Sequence, residues 1–199
     1  MQQRAIETRK KLLEAALQLY VEKGYHYTTV DEVAASAGLS TGVAYRYFKN
    51  KKDLLLAAIE NAFDSIQNIT STEDIDLSKF TNMEELISYA LDRFEMIHKK
   101  YYGIHEEIES LRHSDADVKE LYDRIEKKAV GKILQKAERM FEGQNHLPER
   151  IYMAIGMMEN YCHMTMDEKY TDLDFAYMKK ETVRAVMNIL AVNTGSTGG

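Results

Sequence analysis

Few side chains in this chain of 199 residues are spaced for covalent chemistry. His105, Glu109 and His113 stand at i, i+4 and i+8, which puts three candidate ligands for zinc or nickel on one face of a helix. HEEIE lacks the second histidine of HExxH, so the face matches no zincin pattern, and acidic faces carrying histidine are more often simply solvated. Cys162 and His163 are neighbours on a predicted helix. Their side chains diverge by about 100°, which does not make a nucleophile and base pair. GxSxG, P-loop, GxGxxG and paired cysteines are all lacking, so neither catalysis nor a cofactor is expected. Residues 24 to 54, GYHYTTVDEVAASAGLSTGVAYRYFKNKKDL, offer a different chemistry. The hydroxyls of Thr28, Thr29, Ser40, Thr41, Tyr45 and Tyr47 and the cations Arg46 and Lys51 are donors that suit phosphate and base edges.

Those donors need elements to hold them, and the same stretch supplies the signals. Thr29 followed by Glu32 is a capping box for a helix from Val30 to about Ala37. Gly38 ends that helix in a left-handed turn, Leu39 tucks into the angle, and Ser40 caps the next helix. Asn50 with Asp53 repeats the box and starts a further helix at Lys51 and Lys52. Two short helices around a glycine turn form a helix-turn-helix, which points to binding of double-stranded DNA. In its second helix Thr41, Gly42, Tyr45, Arg46 and Tyr47 are expected to be exposed, with Val43, Ala44 and Phe48 packed inward. Glycine at 42 is costly inside a helix, by roughly 1 kcal/mol, so something is expected to press close there. Lys51 adds a full charge where free N–H groups and the helix dipole already favour an anion.

Gly24 with its following aromatic, Thr28-Thr29-Val30, Ala34, Ala37-Gly38-Leu39-Ser40, Gly42, Tyr45, Tyr47-Phe48, Lys51 and Leu54 resemble the DNA-binding domain of tetracycline-repressor (TetR) family regulators. The resemblance covers roughly the first quarter of the chain. It implies an all-α homodimer, a repressor released from a palindromic operator by a small effector. It also implies that Tyr45 and Tyr47 contact phosphate or base edges, that Thr41 lies near the bases, and that Lys51 holds the backbone.

Charge agrees with a small head on an acidic body. Residues 1 to 53 hold nine Lys and Arg against six Asp and Glu, leaving 17 against 26 of the chain's 26 and 32 for residues 54 to 199. The balances are +3 and −9, although the whole chain is −6. A basic head is drawn to phosphate; an acidic body is not. One proline allows long helices throughout, and one cysteine excludes an internal disulfide. No apolar run approaches about 20 residues, and MQQRAIETRKK is not followed by an apolar signal core, so a cytoplasmic protein without a membrane span is expected.

The expected division is a head at 1–53, a helical ligand-binding and dimerisation domain at 54–192, and a disordered tail at 193–199. A first helix from about Gln3 to Lys23 buries Ile6, Leu13, Ala16, Leu17 and Tyr20. The helix from Lys51 is long enough to leave the head. Residues 68 to 82 read as a loop. One helix is expected from Met83 to about Lys99, a shorter one from Tyr101 to Leu111, a long one capped by Ser114-Asp115 and stopped by Gly143, one with Pro148 in its first turn, and a last one from Asp172 or Asp174 to about Val192. Phe63, Ile66, Phe94, Ile97, Tyr101, Ile104, Ile108, Tyr122, Ile125, Met158, Tyr161 and Cys162 are inward candidates for an apolar or aromatic effector. Tyr152, Gly156, Met157, Tyr177, Val183, Val186, Met187 and Leu190 lie on the last two long helices, whose apolar residues occupy more than one face, and are candidates for the dimer interface. The rival reading is a metal-dependent enzyme or ligand-storage protein built on His105, Glu109 and His113.

Overall fold

The computed structural model describes residues 2–69 and 77–190. Among them there are eight α-helices and no strand: α1 Gln2–Lys23, α2 Val30–Ser36, α3 Thr41–Tyr47, α4 Lys51–Ile69, α5 Met83–Ser114, α6 Ala116–Met140, α7 Leu147–Met166 and α8 Phe175–Leu190. Short 3₁₀ turns lie at Leu77–Lys79 and Glu168–Tyr170. The expected tail falls outside the described residues.

Packing divides the described chain into two units that do not follow sequence order. The first holds residues 2–69 with 103–126, and the second 77–102 with 127–190. All of α4 thus belongs to the first unit. In that unit α1 packs on α4 and α2, and α2 on α3. Leu12, Leu13, Leu54, Leu55 and Ile59 are fully buried, and Ile108, Leu111, Val118, Leu121 and Ile125 join the same cluster. Each such side chain contributes about 1.5–3 kcal/mol over exposure, and Ala44 of α3 and Phe48 at its end lie in the same cluster. The second unit is built on the α7–α8 pair, with Ile151, Met158, Tyr161, Cys162, Val183, Val186 and Leu190 in its core.

Local signals account for the ends of the elements. Asp115 caps α6 through the N–H groups of Asp117 and Val118 at 2.9 and 3.2 Å. Asp174 accepts from Tyr177 N–H at 3.0 Å to start α8, and Pro148 sits in the first turn of α7. The break expected near Lys99 is not there, since α5 runs unbroken for 32 residues. Nothing between Lys99 and Gly103 forbids a helix, and Gly103 answers to packing. A Cβ there would meet Val21 of α1 at 2.5 Å. Ile6 is the other correction: it continues the apolar stripe of α1 yet is 59% exposed, because the core ends at Leu12.

Candidate nucleic-acid interface

The start of α2 is a complete capping box. Thr29 Oγ1 accepts from Glu32 N–H at 3.2 Å, and the Glu32 carboxylate accepts from Thr29 N–H at 2.8 Å and from its hydroxyl at 2.9 Å. Lys23 pairs with the same carboxylate. Hydrogen bonds from Lys23, then from the backbone and hydroxyl of Thr29, hold the Glu32 pKa down to about 2. Two candidate phosphate donors are spent in this way. The Thr29 hydroxyl is committed to the box, and Thr28 is buried, donating to the Gly24 carbonyl at 2.9 Å. Thr28 is a fold residue, and its expected contact with DNA is withdrawn.

The turn into α3 is set by Gly38, with φ of +70°. Its N–H donates to Ala35 O at 3.0 Å and the N–H of Leu39 to Ala34 O at 2.8 Å, the two bonds of a Schellman motif. Ser40 occupies the N-cap of α3, but its side chain makes no capping bond. Along α3, Ala44 and the capping Phe48 are buried and Val43 is half-buried, while Gly42, Tyr45 and Arg46 are exposed. Thr41 and Tyr47 are half-buried, and Tyr47 packs on the core edge. A Cβ at Gly42 would meet no atom within 4 Å. No side chain or backbone of another element presses on this glycine.

At the start of α4, Asn50 accepts from Asp53 N–H at 2.8 Å, as its cap role requires. The Asp53 carboxylate reaches the N–H of Lys49 rather than that of Asn50, at 2.9 Å, so the second box is displaced by one residue. The two lysines beyond it diverge. Lys51 donates to the His26 carbonyl at 3.1 Å and stands 4.3 Å over the Tyr25 ring. Burial lowers its pKa from the ordinary lysine value, with Glu32 opposing. Lys52 pairs with Asp115 and Asp117, so its charge is spent inside the first unit. Glu107 accepts from Tyr25 N–H at 2.6 Å and ties the 24–27 turn to α5. Two groups here were not singled out from the sequence. Tyr27, 80% exposed, is an aromatic left uncovered beside the start of α2, and Arg9 lies 5.6 Å over the Phe48 ring. An aromatic within a polar turn was the only signal for the first; the second needed the path of α1.

The effector candidates fall in both units, six in each. Phe63, Ile66, Ile104, Ile108, Tyr122 and Ile125 belong to the first, where Phe63 meets Tyr122 edge to face at 5.7 Å. Phe94, Ile97, Tyr101, Met158, Tyr161 and Cys162 belong to the second. A pocket in the first unit, lined by Leu17, Tyr20, Leu55, Ile104 and Ile108 among others, encloses about 10 Å³, room for one water and no effector. Cys162 is fully buried and its thiol is pushed up to about 12 by burial, which fits a core residue.

Of the dimer candidates, Tyr152, Gly156 and Tyr177 are exposed and Met157 and Met187 half-buried. Val183, Val186 and Leu190 are corrected: they are buried in the α7–α8 core and present nothing outward. Met153, 62% exposed beside Tyr152, belongs to the outward face in their place. The His105, Glu109 and His113 face gathers no ligand set. Glu109 is paired with Arg112 at 3.1 Å, and no group of three converging donors among the described residues includes Glu109 or His113.

Residues 12–58 match the model of the bacterial regulatory proteins, tetR family. The HTH-type transcriptional regulator HbdR of Aromatoleum sp. (strain CIB) is 38% identical over 61 residues, 31% of this chain and 27% of that protein. The matches to the curated relatives span between 25% and 44% of those proteins. Likeness of fold extends further. A tetR-family transcriptional regulator from Streptomyces coelicolor superposes over 92% of this chain and 80% of its own with a TM-score of 0.68 at 19% identity. A protein described as a transcriptional regulator from Saccharomonospora viridis, solved in complex with choline, does so over 92% and 96% with a TM-score of 0.67 at 15% identity.

Proposed function

Because this chain belongs to the tetR family of bacterial regulatory proteins through residues 12–58, we propose that it is a DNA-binding transcriptional regulator, a repressor released from its operator by a small effector. The observation that carries the reading is α3: one side is sealed into the head, while Gly42, Tyr45 and Arg46 stand open with space beside the glycine. A helix so presented fits the major groove. Thr41, Gly42, Tyr45, Arg46 and Tyr47 form the contact surface. Ser40, exposed with its hydroxyl unused in capping, stands at the N-terminal end of that helix as a phosphate donor. Lys51 lies at the edge, where its ammonium keeps donors beyond the one given to His26.

The protein acts as a homodimer in the cytoplasm on a palindromic operator, its outward α7–α8 face of Tyr152, Met153, Gly156 and Tyr177 meeting a second copy. No helix among the described residues is long and apolar enough to cross a membrane. The effector is small and apolar or aromatic and is held by residues of the second unit. The S. viridis protein and its choline support small-ligand binding in this fold. Effector acts by favouring a dimer whose two heads no longer match the half-site spacing. The test is fluorescence anisotropy on a 40-base-pair duplex at several salt concentrations. Affinity should fall steeply with salt, and Lys51→Ala should flatten the slope by roughly one unit per lysine; affinity indifferent to salt rejects DNA binding.

A further inference from the structure

α1 is longer than the core it serves. Its buried residues begin at Leu12, and from Gln3 to Lys11 only Thr8 is even half-buried. The family match begins at the same residue, 12. Ten residues of helix, roughly 15 Å at 1.5 Å per residue, therefore run past the packed head. A free helix of that length is marginal in water, so it stands as an extension of α1.

Charge separates this extension from the rest of the head. Arg4, Arg9, Lys10 and Lys11 face one acid, Glu7, a balance of +3; residues 12 to 53 hold five cations and five acids, a balance of zero. The whole surplus that draws the head to phosphate lies in the extension. Elsewhere in the head the cations are largely engaged: Lys23 by Glu32, Lys52 by Asp115 and Asp117, and Lys51 in part by His26. Within the extension Glu7 accepts from the Gln3 amide at 3.3 Å, and Lys10 leans toward Glu14 at 3.5 Å. Arg4 and Lys11, at i and i+7, share a face, with Thr8 between them bonded back to the Arg4 carbonyl.

Position completes the case. Arg9 stacks over Phe48, the residue that closes α3 directly after Tyr47, so the extension passes beside the end of the exposed helix. We propose that the first ten residues of α1 form a DNA-contacting arm, in which Arg4 and Lys11 hold backbone phosphates flanking the stretch met by α3 and Arg9 positions the arm against Phe48. This rests on the DNA-binding reading of α3 and widens its footprint.

The test compares the full chain with Arg4→Ala/Lys11→Ala on a random-sequence 40-base-pair duplex, by anisotropy from 50 to 200 mM salt. Two phosphate contacts carry roughly 1.8 units of salt slope per head, so over that range the variant should lose roughly tenfold less affinity per head than wild type. Lys11→Arg alone should keep the wild-type slope, and because both positions are exposed the double variant should melt with the wild type. A steep wild-type slope that the double variant leaves unchanged overturns the arm and spares α3. A wild type that ignores salt overturns both readings. A variant that alters sedimentation while keeping the slope assigns the face to a second copy, and also overturns the arm.

Discussion

Replacing Gly42 with alanine should move stability and DNA affinity in opposite directions. The glycine is exposed, its φ is not among the positive values in the described chain, and an added Cβ meets no atom within 4 Å. Nothing in the protein resists the methyl group. Alanine restricts the unfolded chain and favours the helix, a gain of about 0.5–1 kcal/mol, with the lower figure more apt in the first turn of a helix. For a chain of this length that raises the melting temperature by about 1 to 4 °C. On DNA the same methyl group enters the gap between α3 and the groove. If it displaces α3 enough to lose one base contact, the cost is about 1–3 kcal/mol, roughly 5- to 150-fold in affinity. Thermal unfolding and anisotropy on one preparation read both quantities. A variant that is more stable and binds as tightly as wild type refutes the approach of DNA to this turn. A variant that is less stable refutes the open space.

Three further outcomes follow from packing and charge. Thr28→Val should cost about 1–2 kcal/mol of stability by removing the hydroxyl that satisfies the Gly24 carbonyl, with DNA affinity unchanged at temperatures where the variant is folded; denaturant titration and anisotropy separate this from a phosphate role. Gly156→Arg, on the outward face of α7, should shift sedimentation toward monomer at micromolar concentration without lowering the melting temperature of the subunit. His98 titrates below its ordinary value of 6.5 because burial penalises the imidazolium, although the Phe94 carbonyl pulls the other way and His163 adds to the lowering. The unfolded chain then takes up the proton first, so the stability due to this group is full above about pH 6.5 and is lost as pH falls toward the lower folded value. His98→Leu should flatten melting temperature against pH between 7 and 5; an unchanged profile removes the assignment.

The head was legible because its signals are local. Capping at Thr29 and Asn50 and the glycine turn at residue 38 are written within four residues of where they act, and each is found in place. Burial was less legible, since periodicity shows which face turns inward but not how far the core reaches. Ile6 lies on the right stripe beyond the end of the core, and Thr28 looks like a surface donor until the Gly24 carbonyl is seen above it. Long-range pairings were not legible at all: Glu107 with the N–H of Tyr25, Lys52 with Asp115 and Asp117, and Arg9 with Phe48 join positions whose sequence separation carries no signal. The dimer face was half legible for the same reason. More than one apolar face could be recognised on the last two long helices, but Val183, Val186 and Leu190 were assigned outward when they lie in the core that α8 shares with α7.

Whether α3 seats in the major groove as one of a symmetric pair is read by selecting bound sequences from a randomised duplex library with the full chain. A symmetric pair of α3 helices should enrich a palindrome whose half-sites stand about 10 to 10.5 base pairs apart, or a multiple of that spacing, with the preference altered by Arg46→Ala or Thr41→Ala. A library that emerges with no enriched sequence, or a preference that those substitutions in α3 leave untouched, would contradict it.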